Sequence, residues 1–140
     1  MKEDRKMEAQ RWLKQAKAEL NDAAFLKDSG KFYLALFLCQ QSAEKALKAF
    51  IYSEEDEPVF SHSVAFLLKL ASSLDSEFQP LRAAKRLDDY YIPTRYPNGL
   101  PGETPSEYFD DENEVNRALE LSRKIVDLSE KKINTNFLDH

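Results

Sequence analysis

The sequence predicts an all-α protein, an up-and-down helical bundle of about five helices, and three observations carry that expectation. Apolar residues recur at helical spacing through five successive stretches. The chain has only three glycines, too few for the many tight turns of a sandwich or barrel. The helix breakers are concentrated, because residues 89–105 hold four of the six prolines and two of the three glycines.

The first helix is expected over residues 4–28. Ala9, Leu13, Ala16, Leu20 and Ala23 alternate spacings of four and three and form one apolar stripe, which Trp12 and Phe25 widen. Asp28-Ser29-Gly30 is a stop signal, with Gly30 suited to the left-handed position past a helix end. A second helix, about 32–53, is apolar over most of its circumference through Tyr33, Leu36, Phe37, Cys39, Ala43, Ala46, Leu47, Phe50 and Ile51. Such a helix lies between others. The short connector makes the two antiparallel neighbours. A third helix is expected over about 62–74, with Val64, Leu67, Leu68 and Leu70 inward and Ser61 or Ser63 as cap. A fourth, about 76–91, uses Phe78, Leu81, Ala84, Leu87 and Tyr91. After the broken stretch 92–109, a last helix covers about 110–133 with Val115, Ala118, Leu119, Ser122, Ile125, Val126 and Ser129 on one face. Its opening acids, Asp110, Asp111 and Glu112, suit the positive end of the helix dipole. One domain over 1–133 and a disordered tail over 134–140 follow as expectations.

Bulk composition excludes several classes. A net charge of −5 makes duplex DNA a poor primary partner, since phosphate binding draws on positive surface. Charge is uneven, however. Arg82, Lys85, Arg86 and Arg95 fall within residues 79–97 against only Asp88 and Asp89, while acid collects at 54–57 and 107–114. The one cysteine, Cys39, sits in an apolar run and reads as a small buried hydrophobe. No signal-peptide pattern is visible and no apolar run approaches the ~20 residues of a membrane span, so a cytoplasmic location without membrane contact is expected. Two histidines and one cysteine, widely scattered, give no metal-ligand spacing. No phosphate-binding glycine loop or nucleophile elbow occurs, and no cofactor is expected.

Three groups of residues could carry chemistry. In the broken stretch, Arg95 offers a planar fork that pairs with phosphate through two donors, and Tyr91, Tyr96 and Tyr108 could stack on a base. The alternative is that Arg95 pairs with Asp88, Asp89 or Asp110 and pins the loop. On the second helix, Gln41, Glu44, Lys45 and Lys48 share one side, and Glu44 to Lys48 is the favoured order for an i,i+4 pair. Gln40 and Gln41 within an apolar run need partners, most simply across the bundle. The third is His62 at the start of the third helix, read first as a cap or loop contact; the other histidine, His140, lies in the tail.

The run from Tyr33 to Ala49, Tyr-Leu-Ala-Leu-Phe-Leu-Cys-Gln-Gln-Ser-Ala-Glu-Lys-Ala-Leu-Lys-Ala, resembles the second-helix signature of HEPN domains, the "higher eukaryotes and prokaryotes nucleotide-binding" family. The His62-Ser63-Val64 start of the third helix and the segment Tyr91-Ile92-Pro93-Thr94-Arg95-Tyr96-Pro97 are similar to the same prokaryotic branch. The resemblance implies a homodimeric helical bundle. It also implies a link to a minimal nucleotidyltransferase in a toxin–antitoxin-like module, and nucleotide or RNA as ligand. Many members are metal-independent RNases whose signature is an arginine, four to six residues, then a histidine. Here the matching positions after Arg95 are Leu100, Pro101 and Gly102, so the proton-transfer partner of that pattern is missing. The resemblance then assigns Arg95 to phosphate, Tyr91 and Tyr96 to stacking, and Lys48 with Glu44 to the rim or to orienting Arg95. His62 is the base in the RNase alternative.

Overall fold

The computed structural model describes residues 2–138. His140 and the end of the expected tail lie outside the described residues. Helix α1 runs Lys2–Asp28, α2 Phe32–Glu54 and α3 Val64–Leu74; a 3₁₀ helix spans Ser76–Tyr90, a short 3₁₀ turn Pro97–Gly99, α4 Pro105–Tyr108 and α5 Glu112–Asn136. No strand occurs among the described residues. The fold is the expected all-α helical bundle.

Helices α1 and α2 form an antiparallel hairpin. Gly30 has φ +76, and the backbone amides of Gly30 and Lys31 donate to the carbonyls of Lys27 and Leu26, the two bonds that close a helix end on a left-handed glycine. All five residues of the expected α1 stripe are buried. Phe25 is not on that face and is 70% exposed, because at about 100° per residue its position falls nearly opposite the Ala9–Ala23 stripe. Helix α2 is central. Leu36, Cys39, Ala43, Ala46, Leu47, Phe50 and Ile51 are inaccessible to solvent. Two serines tie it to its neighbours: Ser42 Oγ donates to the Ala16 carbonyl at 2.7 Å, and Ser122 Oγ of α5 donates to the Cys39 carbonyl at 2.9 Å. Burial pushes the Cys39 thiol up to about 12, which leaves it protonated and inert.

The segment Ser76–Tyr90 departs from the α-helix expected there. It winds as 3₁₀, where side chains three apart eclipse. Phe78, Leu81, Ala84, Leu87 and Tyr90 recur every third residue and make one inward stripe. Pro80 removes a donor in the second turn, and its ring opposes α winding. With period three, Tyr90 takes the inward position that a period of 3.6 gives to Tyr91. Its hydroxyl donates to Glu114 of α5 at 2.7 Å, and burial together with that carboxylate holds the phenol well above its ordinary range. Tyr91 is left on the outer side.

Helix α5 continues to Asn136, whose side-chain amide donates to Ser53 Oγ and Glu54 Oε1 at 2.9 Å and moors it to the end of α2. Among the described residues no helix is long and apolar enough to cross a membrane.

Candidate functional site

The broken stretch is shaped, not slack. The carbonyl of Ile92 accepts from the amides of both Arg95 and Tyr96, and the buried Thr94 hydroxyl donates to the Tyr90 carbonyl. Gly99 packs so close that a Cβ there would meet Pro93 Cα at 3.3 Å, and Gly102 has φ +98. These turns fold the chain back over the end of the 3₁₀ helix and fix where Arg95 emerges.

Arg95 is held by one carbonyl and three rings. Its Nε donates to the Tyr91 carbonyl at 2.6 Å. Its guanidinium carbon lies 4.4 Å from the centre of the Tyr91 ring, 4.8 Å from Phe37 and 5.2 Å from Tyr96. Such contacts contribute about 0.5–1 kcal/mol each at exposed sites and orient the plane of the group. Arg95 is exposed and forms no ion pair with a carboxylate among the described residues. Of the carboxylate alternatives, Asp88 is engaged elsewhere. Asp88 accepts from the amides of Val64 at 2.7 Å and Ala65 at 3.0 Å, from Ser63 Oγ at 3.0 Å, and from Gln40 Nε2 at 3.3 Å. It therefore satisfies the start of α3, together with the Ser63 cap, whose Oγ accepts from Phe66 N.

His62 stands beside the arginine. Its ring stacks on that of Tyr91 with centroids 5.7 Å apart and planes 16° apart, so His62 and Arg95 contact the same ring. His62 Nδ1 lies 3.4 Å from Glu44 Oε2, and the imidazole is largely exposed. Ser61, His62, Ser63, Asp88, Asp89 and Tyr91 bound a pocket of ≈ 610 Å³ between the starts of α3 and the broken stretch. Arg95 borders it across Tyr91.

Glu44 and Lys48 are not on the rim, and neither touches Arg95. Their ion pair, 3.1 Å long, is buried on α2, and Lys48 Nζ lies 5.4 Å from the centre of the Trp12 ring. Trp12 of α1 covers the pair, which no local pattern in α2 reveals. Glu44 reaches the site through His62. Gln40 finds its expected partner across the bundle, its Nε2 donating to the His62 carbonyl at 2.9 Å, whereas Gln41 is satisfied within α2: its Nε2 donates to Gln40 Oε1 at 2.7 Å and its Oε1 accepts from Lys45 at 3.0 Å. Tyr108 packs edge-on against Phe109, away from Arg95. Phe37 belongs to the site, although its apolar run assigns it to the core; its half-buried position on α2 is the signal that places it at the edge. Among the described residues no group of three or more His, Cys, Asp or Glu could hold a metal ion.

A helical bundle with a Pro/Gly-shaped loop that presents an arginine and tyrosines beside the second helix defines a class. The HEPN domain family model matches residues 9–133. The chain belongs to the HEPN domain family. It is similar to the protein TT1696 from Thermus thermophilus, with 34% identity and a TM-score of 0.79 over 89% of this chain and 97% of that one. It is also similar to ST0689, an archaeal HEPN homologue, with 29% identity and a TM-score of 0.73 over the same shares. No curated protein matches the sequence.

Proposed function

We propose that this HEPN protein binds the phosphate of a nucleotide or RNA through Arg95, without catalysis, as a homodimeric cytoplasmic component of a toxin–antitoxin-like module with a minimal nucleotidyltransferase as partner. One observation carries the reading: the Arg95 guanidinium is oriented by the Tyr91 carbonyl and three rings, with no carboxylate among the described residues closing its charge. Its terminal amines are then available to two phosphate oxygens, and Tyr96 beside it, about half exposed, offers a face to a base. Loss of a charge-assisted contact costs about 1.5–3 kcal/mol. Arg95→Ala is expected to weaken nucleotide or RNA binding roughly ten- to a hundredfold in a titration. Unchanged affinity would remove the reading.

A second reading has its own observation. His62 shares the Tyr91 ring with Arg95 and is oriented by Glu44, the arrangement of a base held by a third group. Proton transfer from such a histidine would make the site a metal-independent RNase despite the absent histidine after Arg95. The same preparations, incubated with structured RNA, decide it: specific cleavage that disappears in His62→Ala establishes the enzyme, and intact RNA leaves the binding role.

A further inference from the structure

The 3₁₀ winding that turns Tyr90 inward has a second effect on the outside. Gln79, Arg82, Lys85, Asp88 and Tyr91 also recur every third residue, so they line up along one edge. Gln79, Arg82 and Lys85 face α3 across a groove of ≈ 1190 Å³, to which α3 adds Lys69. No carboxylate lines that groove. Lys69, Arg82 and Lys85 are exposed and have no ion-pair partner among the described residues. The next two members of the edge, Asp88 and Tyr91, line the pocket beside Arg95. Groove and pocket are thus consecutive along the seam between α3 and the 3₁₀ helix.

Arg82 to Tyr91 is nine residues, or ~18 Å at the 3₁₀ rise of ~2 Å per residue. A mononucleotide cannot bridge that span. Asp88, between the two cationic ends, turns its carboxylate into the amides of α3, which leaves exposed Asp89 as the other acid of the segment.

Resting on the assignment of Arg95 to phosphate, we infer that the seam is the track of a single-stranded nucleic acid. Its phosphates lie along Lys69, Arg82 and Lys85, and its unpaired bases reach the rings around Arg95. Cations in a row with aromatic faces at one end suit a flexible strand whose bases are free to stack. A duplex offers no free base faces, and the net charge of −5 disfavours its dense phosphates. An acidic polypeptide would match the cations but not the rings.

The test compares two probes on the full chain: uridine monophosphate, and a labelled oligouridylate long enough to span the seam. Lys69→Gln, Arg82→Gln and Lys85→Gln are combined in one variant, with a charge-conserving triple variant (Lys69→Arg, Arg82→Lys, Lys85→Arg) and thermal melting as controls. The neutral variant is expected to bind the monophosphate as the wild type does. Its oligouridylate affinity is expected to fall at least tenfold at low salt, with the slope of log K against log salt shallower by about 2, at ~0.7 per phosphate contact. The charge-conserving variant retains affinity and slope. Unchanged oligouridylate binding and slope in the neutral variant would overturn the track while leaving an Arg95-dependent monophosphate site intact. Monophosphate binding indifferent to Arg95→Ala would overturn the assignment beneath it. Polyglutamate that competes as well as oligouridylate would also overturn it, in favour of an acidic protein partner.

Discussion

Helix α5 and the pair formed by α3 and the 3₁₀ helix both lie against α2, yet they are attached by different forces. The α5 face is continuous and apolar, with Val115, Ala118, Ile125, Val126 and Ile133 buried along the length of the helix and Ser122 bonded to an α2 carbonyl. The other attachment divides into two. Phe78 packs at a tilt against Phe50 of α2 with ring centroids 4.6 Å apart, while the site end adds polar groups: Gln40, Asp88, Ser63 and the His62–Glu44 contact. A dry interface holds because area is removed from water; a polar one holds only while every partner is present. The candidate site residues sit on the polar side, where geometry is specified by the direction of hydrogen bonds.

The largest effect that separates the two attachments should come from α5. Ile125 is fully buried, and Ile125→Ala is expected to destabilise the protein by roughly 2–5 kcal/mol through lost burial and a residual cavity. Because α5 belongs to the common core, amide hydrogen exchange should accelerate throughout the bundle. Acceleration confined to α5 would show that it is an independently opening element, and the comparison would fail.

A smaller and more local effect is expected at the site end. Asp88→Ala leaves the first amides of α3 without their acceptor and the Gln40 amide with the His62 carbonyl alone, at a cost of about 1–3 kcal/mol. Exchange should rise at the start of α3 and around His62 while α1, α2 and α5 keep most of their protection. Ligand affinity at Arg95 should fall as well, since His62 and Tyr91 lose their seating. Uniform loss of protection would mean that the polar end is part of the global core.

These differences also explain what could be read from the sequence. The α1 and α5 faces were legible because each buries one continuous, mainly apolar side in the bundle, so the 3.6-residue period survives in Ala9 to Ala23 and in Val115 to Ser129. The 3₁₀ helix was half legible. Its period of three is written in Phe78, Leu81, Ala84, Leu87 and Tyr90, but a window that assumes 3.6 moves the last anchor to Tyr91 and hides the outer row. Arg95, Tyr91 and Tyr96 are neighbours in sequence, and the breakers around them mark their loop. Phe37 and His62 join them only through tertiary packing. Lys48 illustrates the limit: its pairing with Glu44 is a local rule, but its burial depends on Trp12 from another helix. Asp88 could equally have served Arg95 or α3, and only the crossing of the two elements decides.

The smallest expected effect tests an ion-pair cluster that links the two sides of the comparison. Lys132 of α5 lies 2.8 Å from both Asp75 and Glu77 at the start of the 3₁₀ helix. The hydrogen bond from Lys132, with a further one from the Glu77 amide, holds the Asp75 carboxyl below its ordinary value of 3.8, and the same carboxylates hold the Lys132 ammonium above 10.5. A depressed carboxyl contributes stability that is fully present above its unfolded value and is lost as pH falls through its folded one. A raised ammonium contributes stability that is present below its unfolded value and is lost as pH rises through its folded one. The groups are near the surface and solvent screens them, so Lys132→Ala should cost only ~0.5–1 kcal/mol in urea unfolding at neutral pH. The gap between variant and wild type should stay level through neutrality, close in acid once Asp75 is protonated, and close again above the ordinary lysine range. A gap that persists in strong acid would assign the contribution to packing of the lysine stem, and the link between α5 and the 3₁₀ helix would then be apolar like the rest of the α5 face.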